Sequence, residues 1–133
     1  MRTARWLSPL LWLAQAWVGA WFVAIGYWKL SLSIPELAVM WKWPGQYPVL
    51  VRVTGFFDLL GGLGITLPAL LFRARVLTAV AAGACVVLQI CAMAFHASRG
   101  ELHALPFNSQ LALPALFVAW GYMRCPPSYL QAA

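Results

Sequence analysis

The chain has 133 residues, of which 63% are hydrophobic, 14% aromatic and only 9% charged. A water-soluble domain of this length cannot bury so much apolar surface, so the composition excludes a soluble globular protein. The formal net charge of +6 would suggest nucleic acid in a soluble protein. In a membrane protein it bears on topology instead, and we expect no nucleic-acid partner.

Four apolar runs are each long enough to cross a hydrocarbon core of about 30 Å as a helix that rises about 1.5 Å per residue. Backbone groups in lipid must be hydrogen-bonded within helices or closed barrels, and these runs lack the alternation of barrel strands. We therefore predict an all-α, single-domain bundle of four transmembrane helices. The predicted spans are residues 8–30, 49–71, 76–97 and 105–123.

Five arginines would lie on one face of such a four-span protein: Arg2, Arg5, Arg73, Arg75 and Arg124. The positive-inside rule places that face, and with it both termini, in the cytoplasm. The outer face holds mixed charge and both histidines, so we expect the functional site there.

In the first span, a repeated spacing of three and four residues places one set of side chains on a single helical stripe. Its members are Trp12, Gln15, Gly19, Phe22, Gly26 and Lys29. Glycines on a stripe allow a second helix to approach closely, so Gly19 and Gly26 are predicted to pack helices. Lys29 either extends its ammonium group to the outer interface or forms an ion pair inside the bundle.

The first outer loop, SLSIPELAVMWKWPGQYP, contains Ser33-x-x-Glu36 with Pro35 between them. This pattern caps a short helix, which we expect to lie at the membrane interface. Three aromatic residues, Trp41, Trp43 and Tyr47, are predicted to anchor the loop at the headgroups. The alternative is that the loop forms a lid over a lipid-like ligand.

Asp58 falls about nine residues inside the second span, where an ionised carboxylate is costly unless it is paired. Gly55 and Gly62 share its helical face, so the acid should face a closely packed neighbouring helix. Its candidate partners are Lys29, Arg52, His96 and Arg99. The carboxylate either forms a structural ion pair or handles protons or a ligand, and both interpretations stay open.

The third span carries a polar and sulfur-bearing stripe formed by Cys85, Gln89, Met93 and His96. By itself, His96 in a last helical turn is typical of an interface residue or a helix cap. Arg99, Glu101 and Asn108 follow within a short loop, and Asn108 is either the N-cap of the fourth span or a hydrogen-bonding member of the outer cluster. The predicted polar site at the outer mouth consists of Lys29, Asp58, His96, Arg99, Glu101 and Asn108.

The three cysteines form no redox motif, because Cys85 and Cys91 lie on different faces of one helix and Cys125 is on the predicted cytoplasmic side. The sequence contains no zinc-binding spacing, Gly-rich phosphate loop or serine nucleophile motif. We expect no metal and no intrinsic cofactor.

Short motifs recur in a fixed order on the four spans: Gly26, Lys29 and Leu30; Asp58, Gly61 and Gly62; His96, Arg99 and Glu101; Asn108; and Arg124. In this order the chain resembles the DoxX-like family of small membrane proteins, which commonly has glutamate where this chain has Asp58. The resemblance implies a four-helix bundle in a bacterial inner membrane. Family members include small subunits attributed to quinone-linked sulfur oxidation and terminal oxidase systems.

Three hypotheses for function follow, and the sequence favours the first. The chain is a small accessory or assembly subunit of a membrane complex, linked to quinone-dependent redox metabolism. Alternatively, it is a stand-alone membrane protein that binds, carries or isomerises a lipid-like or quinone-like molecule at a His/carboxylate site, or it is a purely structural helix-packing subunit. We expect no independent catalysis. Membrane lipids are expected partners, together with other membrane subunits or a second copy of the chain, and the candidate bound molecule is a quinone or a lipid.

Overall fold

The computed structural model describes residues 4–71 and 74–124, and within these ranges every regular element is helical. The α-helices are Ala4–Ser31 (α1), Ile34–Met40 (α2), Pro48–Leu71 (α3), Arg75–Ser98 (α4) and Leu105–Arg124 (α5). Short 3-10 turns at Trp43–Gly45 and Leu102–Ala104 precede α3 and α5. The all-α prediction is confirmed.

Four segments in the described part of the chain are long and apolar enough to cross a membrane. They are Pro9–Ser31, Pro48–Leu71, Arg75–Ser98 and Leu102–Arg124. The predicted spans agree closely with them, and the largest difference is the start of the fourth, predicted at residue 105 and found at Leu102. The four-span bundle is therefore confirmed.

The four long helices form a ring in which α1 lies between α3 and α5, and α4 lies opposite α1 between the same two neighbours. Neighbouring helices are antiparallel: on the contact of α1 with α3, Gly19 faces Thr66 whereas Gly26 faces Leu59. We call the end of the bundle at which α1 and α4 finish and α3 and α5 begin the polar end. The core between the helices is apolar, and its most deeply buried members include Val18, Phe22, Ile65, Ala82, Leu111, Ala115 and Val118.

Glycines bring α1 and α3 into their closest contact. A Cβ atom at Gly26 would lie 2.5 Å from the backbone nitrogen of Leu59, and one at Gly62 would lie 2.8 Å from the backbone nitrogen of Val23. The four predicted packing glycines all lie on this contact: Gly19, Gly26, Gly55 and Gly62. The backbones of α1 and α3 are therefore in direct contact along these glycines. In this arrangement Lys29 of α1 lies opposite Asp58 of α3.

The short helix α2 begins with the predicted capping box. Ser33 Oγ accepts a hydrogen bond from the Glu36 backbone N–H at 3.4 Å, and Ser33 N–H donates to Glu36 Oε2 at 2.8 Å. The hydrogen bonds from Ser33 hold the pKa of Glu36 below its ordinary value. One side of α2 is buried through Leu37, which packs with Trp43 and Val51. The capping prediction is confirmed, and the location of α2 at a membrane interface stays a prediction.

The arginines predicted to face the cytoplasm belong to the end of the bundle opposite the polar end. Arg75 begins α4 and Arg124 ends α5 at that end. Arg2 and Arg73 lie outside the described residues, as do the side chain of Arg5 and the whole of Cys125. The location of both termini in the cytoplasm stays a prediction.

Candidate functional site

The six residues predicted for the polar site belong to the half of the bundle next to the polar end, but they do not form one cluster. The structure divides them into an ion pair, a three-residue group in the loop after α4, and one residue of α5. These are Lys29 with Asp58; His96, Arg99 and Glu101; and Asn108.

Lys29 and Asp58 form an ion pair in the interior of the bundle. Lys29 Nζ lies 2.6 Å from Asp58 Oδ2 and 3.3 Å from Thr54 Oγ1, and the two charged side chains are only 13% and 5% exposed. The ammonium group also lies 5.6 Å from the ring centroid of Trp43, a cation–π contact. Lys29 is thus turned inward, and of the candidate partners of Asp58 it is the one that reaches the carboxylate.

Arg52 does not neutralise Asp58. Its guanidinium donates to the backbone carbonyl of Lys29, in the last turn of α1. Carbonyls in a last helical turn have no partner within the helix, so this bond satisfies one of them and ties α3 to the end of α1.

His96, Arg99 and Glu101 form a second group, which we call the glutamate clasp. Glu101 Oε2 lies 2.7 Å from His96 Nδ1, and Glu101 Oε1 accepts from Arg99 Nε at 3.1 Å. The Arg99 guanidinium lies 5.3 Å and 5.4 Å from the ring centroids of Phe95 and Tyr47. Through Tyr47 the clasp connects the end of α4 to the residue preceding α3.

The clasp sets the charge of Glu101 and makes His96 Nδ1 a hydrogen-bond donor. Hydrogen bonds from His96 and Arg99 hold the pKa of Glu101 below its ordinary value, so the carboxylate is ionised at neutral pH. The bond to Glu101 likewise raises the pKa of Arg99. An ionised carboxylate only accepts hydrogen bonds, so His96 Nδ1 carries the proton that it donates to Glu101.

Asn108 is a buried residue of α5 and not its N-cap, so that interpretation of the sequence is wrong. The helix begins at Leu105, and Asn108 Nδ2 donates to the backbone carbonyl of Ala104 at 2.8 Å. A 3-10 turn leads directly into α5, so the helix has already begun before Asn108 is reached. Asn108 is left only 8% exposed, inside the bundle.

Of the three predicted anchors, Trp43 belongs to the interior and not to the surface. It is 7% exposed and packs edge-on against Phe95, at a centroid distance of 5.6 Å. Its burial follows from the fold of the first loop, which turns the indole over the ammonium group of Lys29. Tyr47 is 44% exposed and Trp41 half-buried, so anchoring at the headgroups stays a prediction for these two.

A cavity of about 790 Å³ connects the two charged groups. It reaches Phe22 and Asp58 inside the bundle and exposed residues such as Val39 and His103 at the polar end, so it opens at that end. Its walls are mainly aliphatic and aromatic, with contributions from Phe22, Ile25, Trp41, Trp43, Leu50, Leu88, Phe95 and Phe107. Its polar side chains are Lys29, Lys42, Thr54, Asp58, Gln89, His96, Glu101, His103 and Asn108.

Gln89 is the site residue that sequence reasoning missed. It lines the cavity and is only 5% exposed, and its Oε1 has no hydrogen-bond partner within the described residues. The helical spacing places it on the inward stripe of α4 with Cys85 and His96, but spacing does not show whether a buried amide is satisfied. That depends on the side chains that the other helices bring near it.

The opposite half of the bundle contains another buried glutamine, Gln15. Gln15 accepts a hydrogen bond at Oε1 from the Tyr122 hydroxyl at 2.8 Å, and its Nε2 donates to the backbone carbonyl of Ile65. Gln15 is thus bonded at both ends of its amide and connects α1, α3 and α5.

The two cysteines in the described residues occupy different surroundings, as the sequence predicts. Cys85 is buried beside Gly61, whereas Cys91 is exposed on the same helix. No group of three or more His, Cys, Asp or Glu side chains within residues 4–71 and 74–124 is arranged to hold a metal ion.

Comparison with known proteins finds a family. The model of the DoxX-like family matches residues 13–119, a stretch that includes the buried ion pair, the glutamate clasp and the residues lining the cavity. No curated protein and no solved structure matches the chain.

Proposed function

Because the chain belongs to the DoxX-like family and forms a membrane bundle with a cavity beside a buried ion pair, we propose that it binds a lipid-like or quinone-like molecule. The observation that carries this proposal is the cavity of about 790 Å³, which reaches from Asp58 to His96. The sequence alone favours the function of an accessory subunit. With the cavity, we favour ligand binding over that function.

The dimensions and walls of the cavity suit an amphipathic molecule. Small-molecule sites typically measure about 300–1,000 Å³ and combine apolar walls with a few polar groups. Here aromatic and aliphatic side chains supply the walls, and polar groups lie both at the inner end, near Asp58, and at the opening, near Glu101. The exposed residues Val39 and His103 line the cavity at the polar end, so we expect the ligand to enter and leave there.

The charged groups support binding in preference to catalysis. Asp58 is neutralised by Lys29, and Glu101 is engaged by both His96 and Arg99. General acid–base chemistry requires a group that is free to exchange a proton with the substrate. These carboxylates already have ionic partners, so we propose that the protein binds or carries the molecule without changing it.

Purification in native nanodiscs, followed by mass spectrometry of bound small molecules, tests the proposal. We expect the wild-type protein to retain a lipid-like or quinone-like molecule. Ala92→Phe adds a ring to the cavity wall and should abolish this binding, whereas the control Ala94→Phe places the same ring at an exposed position of α4 that does not line the cavity. Equal ligand content in both variants and the wild type would contradict the proposal.

The second candidate function is an accessory or assembly role in a complex of the bacterial inner membrane. It is favoured by an open position on α4: a Cβ atom at Gly83 would meet nothing within 4 Å, and exposed Val80, Ala84 and Val87 lie around it on the helix. Small residues such as Gly83 and Ala84 allow a second helix to approach closely in lipid. Stoichiometric co-purification of a membrane partner, lost in Gly83→Trp, would support this role, and purification of the chain alone would contradict it.

A further inference from the structure

Cations outnumber carboxylates in the half of the bundle next to the polar end. All three carboxylates of the chain lie in this half, and each is engaged by groups of the protein itself. The engaged sets are Glu36 with Ser33; Asp58 with Lys29; and Glu101 with Arg99 and His96. Of the remaining cations, Arg52 donates to the backbone carbonyl of Lys29 and does not line the cavity. Lys42 does line the cavity, and within the described residues its ammonium group has no ion pair and no hydrogen bond.

The chain neighbours of Lys42 add hydrogen-bond donors to the same wall of the cavity. Trp41 and Trp43 both line it, and neither indole N–H has a hydrogen-bond partner in the part of the chain that the structure describes. An indole N–H donates and never accepts. His96 and His103 also line the cavity, and each adds positive charge when it is protonated. This wall thus presents an unpaired positive charge together with free donors, which suits a ligand that carries negative charge.

We infer that the occupant of the cavity is an anionic amphiphile, whose carboxylate or phosphate headgroup binds the ammonium group of Lys42 and accepts hydrogen bonds from the neighbouring indole N–H groups. Lys42 is exposed, so the headgroup lies at the opening of the cavity. The apolar chain lies against aliphatic and aromatic walls such as Phe22 and Leu88. This inference rests on the proposed function and names the chemical class of its ligand. Hydrogen bonds that involve a charged group are stronger than those between neutral groups, so the headgroup should contribute measurably to affinity.

Other headgroups match the charges of the cavity less well. A cation would be repelled by Lys42, and both carboxylates that line the cavity, Asp58 and Glu101, are already paired. An uncharged ester or quinone carbonyl would accept the same hydrogen bonds but would leave the charge of Lys42 unbalanced. At the inner end the charges of Lys29 and Asp58 cancel, and an anion buried there would lose its hydration without gaining a counter-ion. The opening is therefore the favoured place for the headgroup.

Binding measurements on the whole chain in detergent micelles test the inference with two ligands that share a chain length and differ in the charge of the headgroup. A scintillation proximity assay gives the Kd of radiolabelled palmitate and of radiolabelled hexadecanol, at a mildly alkaline pH at which palmitate is ionised. The headgroup preference is the Kd of hexadecanol divided by the Kd of palmitate. Both compounds also partition into the micelles, but this effect cancels when the preference is compared between variants.

Two cations of the same end provide the variant and its control. Lys42→Gln should lower the headgroup preference about fivefold, the size expected for an ion pair that solvent partly screens. Lys42→Arg keeps the positive charge and should retain the preference. Arg52→Gln removes the same charge from the same end of the bundle but not from the cavity, so it should leave the preference unchanged. An undiminished preference in Lys42→Gln, or an equal loss in Arg52→Gln, would overturn the inference.

Two further measurements locate the anion and identify its source. Ala92→Phe narrows the cavity and should abolish palmitate binding, whereas undiminished binding in this variant would place the anion on the surface and overturn the inference. Unlabelled competitors then distinguish the headgroups. Displacement of palmitate by hexadecyl phosphate supports a site for phosphate and carboxylate amphiphiles alike, and resistance to it supports a site for carboxylates. Displacement by inorganic phosphate would show that no apolar chain is required and would overturn the inference.

The outcomes separate the inference from the function on which it rests. Hexadecanol binding that Ala92→Phe abolishes, with a headgroup preference that does not depend on Lys42, would overturn the inference and leave the binding function standing. The same conclusion would follow if neither compound binds while the wild-type protein in native nanodiscs retains a lipid-like or quinone-like molecule. Binding of neither compound, with no such molecule retained, would overturn both.

Discussion

Lys29 and Asp58 form an ion pair inside a bundle with a mainly apolar core, so the cost of burying each charge depends on the presence of the other. A buried ion pair adds little net stability, because both groups lose their hydration, but removing one partner leaves an uncompensated charge. The pair also determines the chemistry of the cavity, because it neutralises the one carboxylate at the inner end.

Substitution of one partner should therefore destabilise the protein more than substitution of both. We expect Asp58→Asn to lower the free energy of unfolding by about 3 kcal/mol, since Lys29 is left without its counter-ion. The double variant Lys29→Met/Asp58→Leu should recover most of this loss. Unfolding in mixed micelles by a denaturing detergent measures the free energy of both variants. A double variant no more stable than Asp58→Asn would show that the two charges do not act as a pair.

The glutamate clasp should make stability depend on pH in one direction. Because the folded pKa of Glu101 is lowered from its ordinary value of 4.5, its carboxylate stabilises the folded state at higher pH, and this contribution is lost as the pH falls through the folded pKa. We expect Glu101→Gln to lower the free energy of unfolding at neutral pH by no more than about 1 kcal/mol, because solvent screens the group. The loss is measured as a lower Tm of the variant. The difference from the wild type should vanish well below pH 4.5, and a difference that persists there would show that the charge of Glu101 is not its cause.

At the scale of elements, the contact of α1 with α3 decides where the ion pair lies. The two helices approach so closely at Gly26 and Gly62 that each glycine faces backbone atoms of the other helix. Backbone atoms cannot move aside as the end of a flexible side chain can, so a larger residue must push the helices apart. Lys29 is one turn beyond Gly26 and would move away from Asp58 with α1.

Two glycine substitutions distinguish the effect of helix packing on stability from the effect of helix propensity. We expect Gly26→Ala to destabilise the protein by about 1–3 kcal/mol, because the added methyl group meets the backbone of Leu59. Gly83→Ala, on the open face of α4, should have no adverse effect or stabilise by up to about 1 kcal/mol, since alanine is the better helix former. The free energy of unfolding of each variant in micelles gives the comparison. Equal losses at both positions would show that helix contact is not what requires Gly26.

At the scale of the whole molecule, the antiparallel ring separates the two ends of the bundle chemically. The polar end contains the opening of the cavity and the glutamate clasp, whereas Arg75 and Arg124 lie at the other end. If the arginine-bearing end faces the cytoplasm, as the positive-inside rule predicts, the cavity opens to the outer side of the membrane.

Reporter fusions in a bacterial host test this orientation. We expect a green fluorescent protein fused to the C-terminus to be fluorescent, because the chain should end in the cytoplasm, and alkaline phosphatase fused there to be inactive. A phosphatase fusion after His103, in the loop between α4 and α5, should be active. The reverse pattern would place the opening of the cavity on the cytoplasmic side.

Much of this fold could be predicted from the sequence, because its determinants are local. Apolar runs of sufficient length predict the four spans, and spacings of three and four residues predict which side chains of α1, α3 and α4 are turned inward. The capping box at Ser33 and Glu36 predicts the start of α2 in the same way. These features depend on the geometry of a single helix, so residues far apart in the chain have no part in them.

Hydropathy and helical period are properties of each segment alone, so they were sufficient to predict a four-span bundle with its three acidic residues and both histidines near one end. Tertiary packing, in contrast, brings Asp58 to Lys29 and brings both Arg99 and His96 to Glu101. It also buries Trp43 and leaves Gln89 Oε1 without a hydrogen-bond partner among the described residues. Each of these depends on distances of a few ångströms between different helices and loops. Such distances follow from the rotation and approach of the packed helices, which glycine contacts such as that of Gly26 with Leu59 set.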